Sequence, residues 1–143
     1  MRRNQLMLYV HLIWSTWDRQ AYISQGIERR LYRNIESQAR KLGCTVLALN
    51  GTCDHVHLVV ELPATLTVAD LVKQVKGGSS HFFNHTLQPA APFKWQGIYG
   101  AFTISRWDLE KIILYVKRQK EHHHQQENLV ADWERPFEEI PTP

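Results

Sequence analysis

Residues 44–62 read Cys-Thr-Val-Leu-Ala-Leu-Asn-Gly-Thr-Cys-Asp-His-Val-His-Leu-Val-Val-Glu-Leu, and the rest of the fold can be built around this stretch. Its two ends are rich in β-branched and other apolar residues, which is typical of strands. Asn50-Gly51 is a strong signal for a tight turn, and this turn can extend to Asp54. Pro63 ends the second run because proline has no backbone N–H to give to a sheet. We therefore predict two strands, over residues 44–50 and 55–62, that form a hairpin.

A helix is predicted on either side of this hairpin. Before it, residues 24–42 are amphipathic, with Ser24 as N-cap and Gly43 as the stop. The apolar face of this first helix holds Ile27, Leu31, Ile35 and Leu42. After the hairpin, Thr67 caps a second helix that meets Gly77-Gly78 and can continue, after a kink, through residues 79–83. The inward residues of the second helix are Val68, Leu71, Val72 and Val75.

The remaining elements complete an α+β fold. Residues 5–17 are β-branched and aromatic enough for a first strand, and part of residues 93–104 forms a fourth. We predict a third long helix over residues 107–124 and expect residues 129–143 to form a tail that covers the body. The order β-α-β-β-α-β predicts a ferredoxin-like arrangement, an antiparallel four-stranded sheet with helices on one face. The helix that carries Tyr115 is added to it at the C-terminal end.

Length and composition limit the class of protein. A chain of 143 residues fits a single domain, residues 1–143, that can bury a core. Hydrophobic residues make up 43% and charged residues 22%, which argues against a disordered, collagen-like or coiled-coil protein. No apolar run approaches the roughly 20 residues of a membrane span, the first residues do not resemble a signal peptide, and two cysteines make no disulfide framework. We expect a cytoplasmic protein, and its net charge of +3 is compatible with a polyanionic partner.

Two histidines stand one residue apart in the predicted third strand. Because side chains alternate along a strand, His55 and His57 point to the same face. Two adjacent imidazoles can hold a divalent ion. The alternative is a pair of surface histidines on a half-exposed strand. Asp54, just before the pair, either tunes a histidine or only makes the turn.

The third helix carries a polar pair beside its apolar stripe. The stripe consists of Leu109, Ile112, Ile113 and Val116. Tyr115 and Gln119 are four residues apart, so they stack on one flank of this stripe and can look into a cleft. The alternative is a boundary tyrosine that hydrogen-bonds a surface glutamine.

Taken together, these segments resemble a known family. The matching segments, in order, are His11-Leu-Ile-Trp-Ser-Thr16, Asp54-His55-Val56-His57-Leu58-Val59, Val75-Lys76-Gly77-Gly78-Ser79-Ser80, Trp95-Gln96-Gly97-Ile98-Tyr99-Gly100-Ala101-Phe102 and Tyr115-Val-Lys-Arg-Gln119-Lys-Glu121-His122-His123. The chain resembles the single-tyrosine HUH transposases of insertion sequences, the IS200-like group that includes the REP-associated branch. The resemblance extends from about residue 9 to residue 124.

The resemblance implies metal-dependent DNA transposition, in which single-stranded DNA is cut and rejoined, often next to a small hairpin. Tyr115 would be the nucleophile and would form a 5′-phosphotyrosine link. His55, His57 and Gln119 would hold a divalent metal, Mg²⁺ or Mn²⁺. Family members commonly pair, so we expect a homodimer, in which the tyrosine helix serves either its own histidine pair or that of its partner. A location at the nucleoid of a prokaryote follows from such an activity.

Several polar residues are candidates for contact with DNA. Cations, hydroxyls and small residues suit phosphate binding, and the second helix offers Lys73, Lys76, Ser79 and Ser80. Near Tyr115, positive charge comes from Lys111 and Arg118, and His122 opens a run of three histidines that can line the DNA path. The alternatives are a solvated helix end, an ordinary exposed helix face and a surface histidine run.

Two other kinds of protein remain open at this point. A non-catalytic protein that binds single-stranded nucleic acid on the same fold would keep its affinity and its effect when Tyr115 is changed to Phe. A small metallohydrolase that activates water with His55 and His57 would cleave DNA without forming a protein adduct. The presence of Tyr115 and Gln119, rather than further histidine or carboxylate ligands, weighs against the hydrolase.

Overall fold

A computed structural model describes residues 4–121, which form a four-stranded antiparallel sheet with three helices. The strands are β1 (Tyr9–Ser15), β2 (Thr45–Gly51), β3 (His55–Glu61) and β4 (Gly100–Ile104). The helices are α1 (Gln25–Lys41), α2 (Val68–Phe82) and α3 (Leu109–Lys117). The strand order in the sheet is β2-β3-β1-β4, and the three neighbouring pairs are all antiparallel. The predicted α+β ferredoxin-like architecture is confirmed.

One face of the sheet packs against α1 and α2. Because strand side chains alternate, every second residue of β1 and of β3 points to this side. These residues form the main core with the inward residues of the two helices, and the set includes Val10, Leu12, Trp14, Val56, Leu58, Val60, Leu31, Ile35, Leu71 and Val75. Burial of this apolar surface is the dominant stabilising contribution. The face of α1 and of α2 that the sequence indicated is the buried one.

The other face of the sheet is covered by α3. The remaining residues of β1 and β3, which include three histidines, point to this side. A second apolar cluster forms there from Ala48, Val59, Ile104 and Val116, with partly buried residues of α3 packed against it. The two central strands are therefore buried on both faces, which explains why β3 reads as a nearly continuous apolar run.

The turn between β2 and β3 depends on one glycine. A Cβ atom placed on Gly51 would lie 2.1 Å from the carbonyl oxygen of His55, so a larger residue would force β2 and β3 apart at the turn. The register of β2 against β3 also shifts between Val46 and Ala48, which marks a bulge. This tight turn fixes where β3 begins, and β3 begins at His55.

The bounds of several elements differ from those predicted. β1 begins at Tyr9 rather than at residue 5, and α2 continues without a kink through Gly77-Gly78 into a π-helical turn over Phe83–Leu87. α3 begins at Leu109 and ends at Lys117, because the backbone of Arg118 leaves the helical region at φ −99° and ψ 17°. A short helical stretch follows over residues 119–121. The predicted end of this helix at residue 124 and the predicted tail over 129–143 lie outside the described residues.

None of the helices within residues 4–121 has both the length and the apolar character needed to cross a bilayer.

Candidate active site

Three histidines meet between the sheet and α3. His55 and His57 of β3 lie on the same face, as their spacing predicts, with ring centroids 5.1 Å apart. His11 of the neighbouring strand stacks on His57, with centroids 5.1 Å apart and ring planes 19° from parallel. All three side chains are buried. The pair is therefore not a pair of surface histidines on a half-exposed strand.

α3 brings a tyrosine to this cluster. The ring centroid of Tyr115 lies 6.1 Å from that of His57, with the two rings edge to face. Tyr115 is partly buried, and Gln119, four residues further on, is fully buried. The predicted pairing of the tyrosine helix with the histidine strand is thus present within one chain.

The C-terminal end of α3 is attached to the turn between β2 and β3. The side-chain amide of Asn50 donates to the carbonyl oxygen of Lys117 over 3.0 Å. The ammonium of Lys120 donates to Asn50 Oδ1 over 2.6 Å and forms an ion pair with Glu28 of α1. These contacts hold the segment that contains Gln119 against the hairpin that carries both histidines.

Asp54 fixes the orientation of His55. Its Oδ1 lies 2.9 Å from His55 Nδ1, and its Oδ2 lies 3.4 Å from Arg19 Nε. Burial alone would raise the pKa of the Asp54 carboxyl, but the hydrogen bond from His55 and the charge of Arg19 outweigh burial and hold this pKa well below its usual range. An ionised carboxylate only accepts hydrogen bonds, so His55 Nδ1 carries the proton. Whenever the ring is neutral, its lone pair is then on Nε2.

The donors available for a metal ion include the two imidazoles of His55 and His57. Within residues 4–121, no group of three or more His, Cys, Asp and Glu side chains is arranged to hold a metal. Gln119 is fully buried four residues after Tyr115, and the carbonyl oxygen of its side-chain amide could serve as a third donor. Two imidazole nitrogens and one amide oxygen suit a divalent ion that takes its remaining ligands from water or phosphate.

Two of the predicted phosphate contacts on α2 are used inside the protein. The Lys76 ammonium donates to the carbonyl oxygen of Gln96 over 2.5 Å, and burial lowers the pKa of this side chain to about 8. Ser79 is fully buried, donates to the carbonyl oxygen of Val75 over 2.6 Å and accepts from the indole nitrogen of Trp95 over 2.9 Å. Both residues hold the segment before β4 onto α2.

The other predicted contacts lie on two different layers. Lys73 is exposed and Ser80 half-buried on α2, whereas Lys111 and Arg118 are exposed beside Tyr115 on the opposite side of the sheet. The structure thus brings Lys111 and Arg118, but not the α2 residues, to the layer of the tyrosine. His122 lies outside the described residues.

A cavity of about 380 Å³ opens beside the cluster, between β4 and the start of α3. Its lining includes His11, Phe102, Lys111 and Ile112. Sequence reasoning gave His11 no role, although a histidine among the apolar residues of the first strand was a visible signal. Its position follows from the pairing of β1 with β3, which places it beside His57, 46 positions away in the sequence.

Comparison with known proteins agrees with this architecture. A crystal structure of a protein from Deinococcus radiodurans R1, described as a candidate transposase, is similar with a TM-score of 0.66 and 25% identity, over 83% of this chain and 98% of that one. A REP-associated tyrosine transposase bound to a REP hairpin has the same fold, with a TM-score of 0.65 and 15% identity, over 86% of this chain and 73% of that one. A comparison with curated proteins finds no match. The sequence model of IS200-like transposases matches residues 4–119, and the chain therefore belongs to this transposase family.

Proposed function

We propose that this protein is a metal-dependent transposase that cleaves and rejoins single-stranded DNA through a covalent bond to Tyr115. The observation that carries this proposal is the position of Tyr115, whose ring centroid lies 6.1 Å from that of His57 in the buried histidine cluster. A protein that only binds DNA does not need a tyrosine at a potential metal site. The membership of the chain in the IS200-like transposase family supports the same reading.

In the proposed reaction the oxygen of Tyr115 attacks a phosphorus atom of the DNA. A bond forms between phosphorus and the tyrosine oxygen, the bond from phosphorus to the 3′ oxygen breaks, and the released 3′ oxygen takes a proton. The product is a 5′-phosphotyrosine. Free tyrosine has a pKa near ~10, so the phenol has to lose its proton during the attack. Rejoining is the reverse attack by a 3′-hydroxyl, and because the covalent link keeps the energy of the phosphodiester bond, no nucleotide is consumed.

His55, His57 and Gln119 would hold the divalent ion. A bound ion would polarise the phosphoryl oxygen and orient the phosphate for in-line attack. Imidazole ligands favour Mn²⁺ over Mg²⁺, while Mg²⁺ is the more abundant ion. Asp54 supports this role because its bond to His55 Nδ1 leaves the lone pair of this ring on Nε2.

The proposed substrate is single-stranded DNA beside a hairpin. The similar fold of a transposase that was solved with a REP hairpin supports this choice, as does the net charge of +3. Lys111 and Arg118 are exposed on the tyrosine side and can contact phosphates near the cleavage site. Lys73 and Ser80, on the other layer, would meet a more distant part of the DNA. We further propose a homodimer. In this dimer Tyr115 would serve either the histidine pair of its own chain, as in the arrangement seen here, or the histidine pair of the partner.

The test uses labelled single strands from the DNA that flanks the gene, incubated with Mn²⁺ or Mg²⁺ and run on a denaturing gel. The wild type is compared with Tyr115→Phe and with Tyr99→Phe, which changes an exposed tyrosine on another part of the chain. We expect a denaturant-stable adduct in the wild type and in Tyr99→Phe, and none in Tyr115→Phe. An adduct that persists in Tyr115→Phe would show that Tyr115 is not the nucleophile. Metal-dependent cleavage without an adduct would indicate a hydrolase, and binding without cleavage would indicate a binding protein.

A further inference from the structure

A direct contact between two rings sets His11 apart from the other buried polar residues. His11 Nε2 lies 2.9 Å from His57 Nδ1, and both atoms are ring nitrogens. His11 is only 1% exposed and lies on β1, between β3 and β4. A contact of this length is a hydrogen bond, so one nitrogen carries the proton and the other accepts it.

We propose that His11 is a positioning residue that accepts the Nδ1 proton of His57 and so keeps the lone pair of His57 on Nε2. In the opposite arrangement His11 would donate, and the proton of His57 would be on Nε2, where it prevents binding of a cation. The effect on metal binding rests on the proposed function, whereas the tautomer of His57 does not.

The neighbouring histidine supports this direction. His55 Nδ1 is held by the Asp54 carboxylate at 2.9 Å, which leaves Nε2 as its ligating atom. With His11 as acceptor, His57 is held in the same way, and the two rings present equivalent nitrogens. Histidines that bind metals usually donate their other N–H to a protein acceptor, and this donation fixes the ring and raises its basicity.

The use of an imidazole as acceptor has an electrostatic advantage. A second carboxylate beside His57 would add negative charge where a DNA phosphate has to approach, and like charges in a buried site repel strongly. Asp54, the carboxylate on the His55 side, is already paired with Arg19. His11 accepts the hydrogen bond as a neutral group, so the site gains orientation without additional negative charge.

The cavity beside His11 explains why a smaller residue would not suffice. The side chain of His11 lines the space of about 380 Å³ between β4 and α3 on one side and contacts His57 on the other. If the ring were removed, water from this space could reach His57 Nδ1. Water donates as well as it accepts, so the tautomer would no longer be determined.

The first measurement is the tautomer of His57, from long-range ¹H–¹⁵N spectra of protein labelled at histidine. Spectra are taken without metal at pH ~8.5, above the ordinary imidazole pKa of about 6.5, and a His57→Asn variant assigns the signals. We expect the proton of His57 on Nδ1 in the wild type. In His11→Phe, which keeps a ring but has no acceptor, we expect a mixture of tautomers or a proton on Nε2. A wild-type proton on Nε2 would overturn the proposal.

The second measurement is the affinity for Mn²⁺ alone, from the loss of the free-ion electron paramagnetic resonance signal. We expect His11→Phe to bind about 10–100-fold more weakly than the wild type. His11→Gln, whose side-chain oxygen can accept the same proton, should lose less, and Tyr99→Phe, at an exposed aromatic residue on another part of the chain, should lose nothing. Equal affinity and an unchanged tautomer in His11→Phe would refute the role of His11 and leave the proposed function intact. No Mn²⁺ binding by the wild type would instead count against the proposed function, while the wild-type spectrum still decides the tautomer.

Discussion

Asp54 links the surface of the protein to the buried histidines. Its carboxylate accepts from His55 on one side and pairs with Arg19 on the other, and Thr52 donates to the same oxygen over 3.0 Å. Such a carboxylate has two effects on an imidazole, because it fixes which nitrogen carries the proton and it raises the basicity of the other nitrogen. The residue that precedes the histidine pair in the sequence therefore contacts His55 as well as Thr52 of the turn.

Replacement of this carboxylate by an amide should weaken metal binding. In Asp54→Asn the amide has no charge and can donate as well as accept, so the tautomer of His55 is no longer fixed. We expect the Mn²⁺ concentration needed for half-maximal cleavage to rise about 10–100-fold. Asp70→Asn, at the exposed start of α2, serves as the control and should leave this concentration unchanged. An unchanged Mn²⁺ requirement in Asp54→Asn would show that Asp54 only shapes the turn.

Among the elements, α2 runs through two consecutive glycines without interruption. Gly78 faces α1, where an added Cβ would lie 2.6 Å from the side-chain amide of Gln38, which in turn accepts a hydrogen bond from Gln74. Gly77 faces open space. Packing of α2 against α1 stabilises a helix that its local sequence would not favour, since each glycine costs up to about 1 kcal/mol relative to alanine.

The two glycines should therefore respond differently to the same substitution. Gly77→Ala removes backbone entropy from the unfolded chain and meets no atom, so we expect the free energy of unfolding to rise by about 0.5–1 kcal/mol. Gly78→Ala displaces Gln38 and disturbs its bond to Gln74, so its effect should be less favourable than that of Gly77→Ala. Urea unfolding followed by circular dichroism measures both. If Gly78→Ala were the more stable variant, the close approach of α1 and α2 would not restrict the size of the residue at position 78.

In the molecule as a whole, one half-buried lysine connects α2 to the segment before β4. Lys76 extends from α2 to the carbonyl oxygens of Gln96 and Ile98, at 2.5 and 3.4 Å, in the segment that leads to β4. Because burial disfavours its charged form, the pKa in the folded protein is about 8, below the ordinary value of 10.5. Folding at neutral pH therefore includes the cost of keeping this ammonium away from bulk water.

This cost should make the stability of the protein depend on alkaline pH. Between about pH 8 and 10.5 the unfolded chain binds more protons at Lys76 than the folded chain, so this residue makes the free energy of unfolding rise with pH. Below pH 8 both states are protonated and the contribution is constant. We expect the difference in unfolding free energy between wild type and Lys76→Met to shift in favour of the wild type across this range. Parallel pH curves for the two proteins would contradict this expectation.

Local patterns were sufficient for the strands and the histidine pair, but not for the contacts between distant elements. The alternation of β3 places His55 and His57 on one face whatever the rest of the chain does. The approach of Tyr115 to His57 depends instead on the packing of α3 against the other face of the sheet. The spacing of residues within this helix does not predict which face it covers. The continuity of α2 through Gly77-Gly78 and the contact of His11 with His57 likewise depend on neighbouring elements.

The hairpin turn that begins at Asn50 is attached both to the helix that carries Tyr115 and to the strand that carries the histidine pair. Asn50 is attached to the end of the tyrosine helix, and the same turn leads directly into His55. Because both attachments are made at this turn, we expect a displacement of the turn to carry Tyr115 and the histidines in the same direction, so that the distance between them changes little. An inserted residue in the turn would misalign both groups at once, whereas a change elsewhere in the sheet would move them together. We therefore expect the alignment of Tyr115 with the histidines to change less than the surrounding protein when a DNA strand binds.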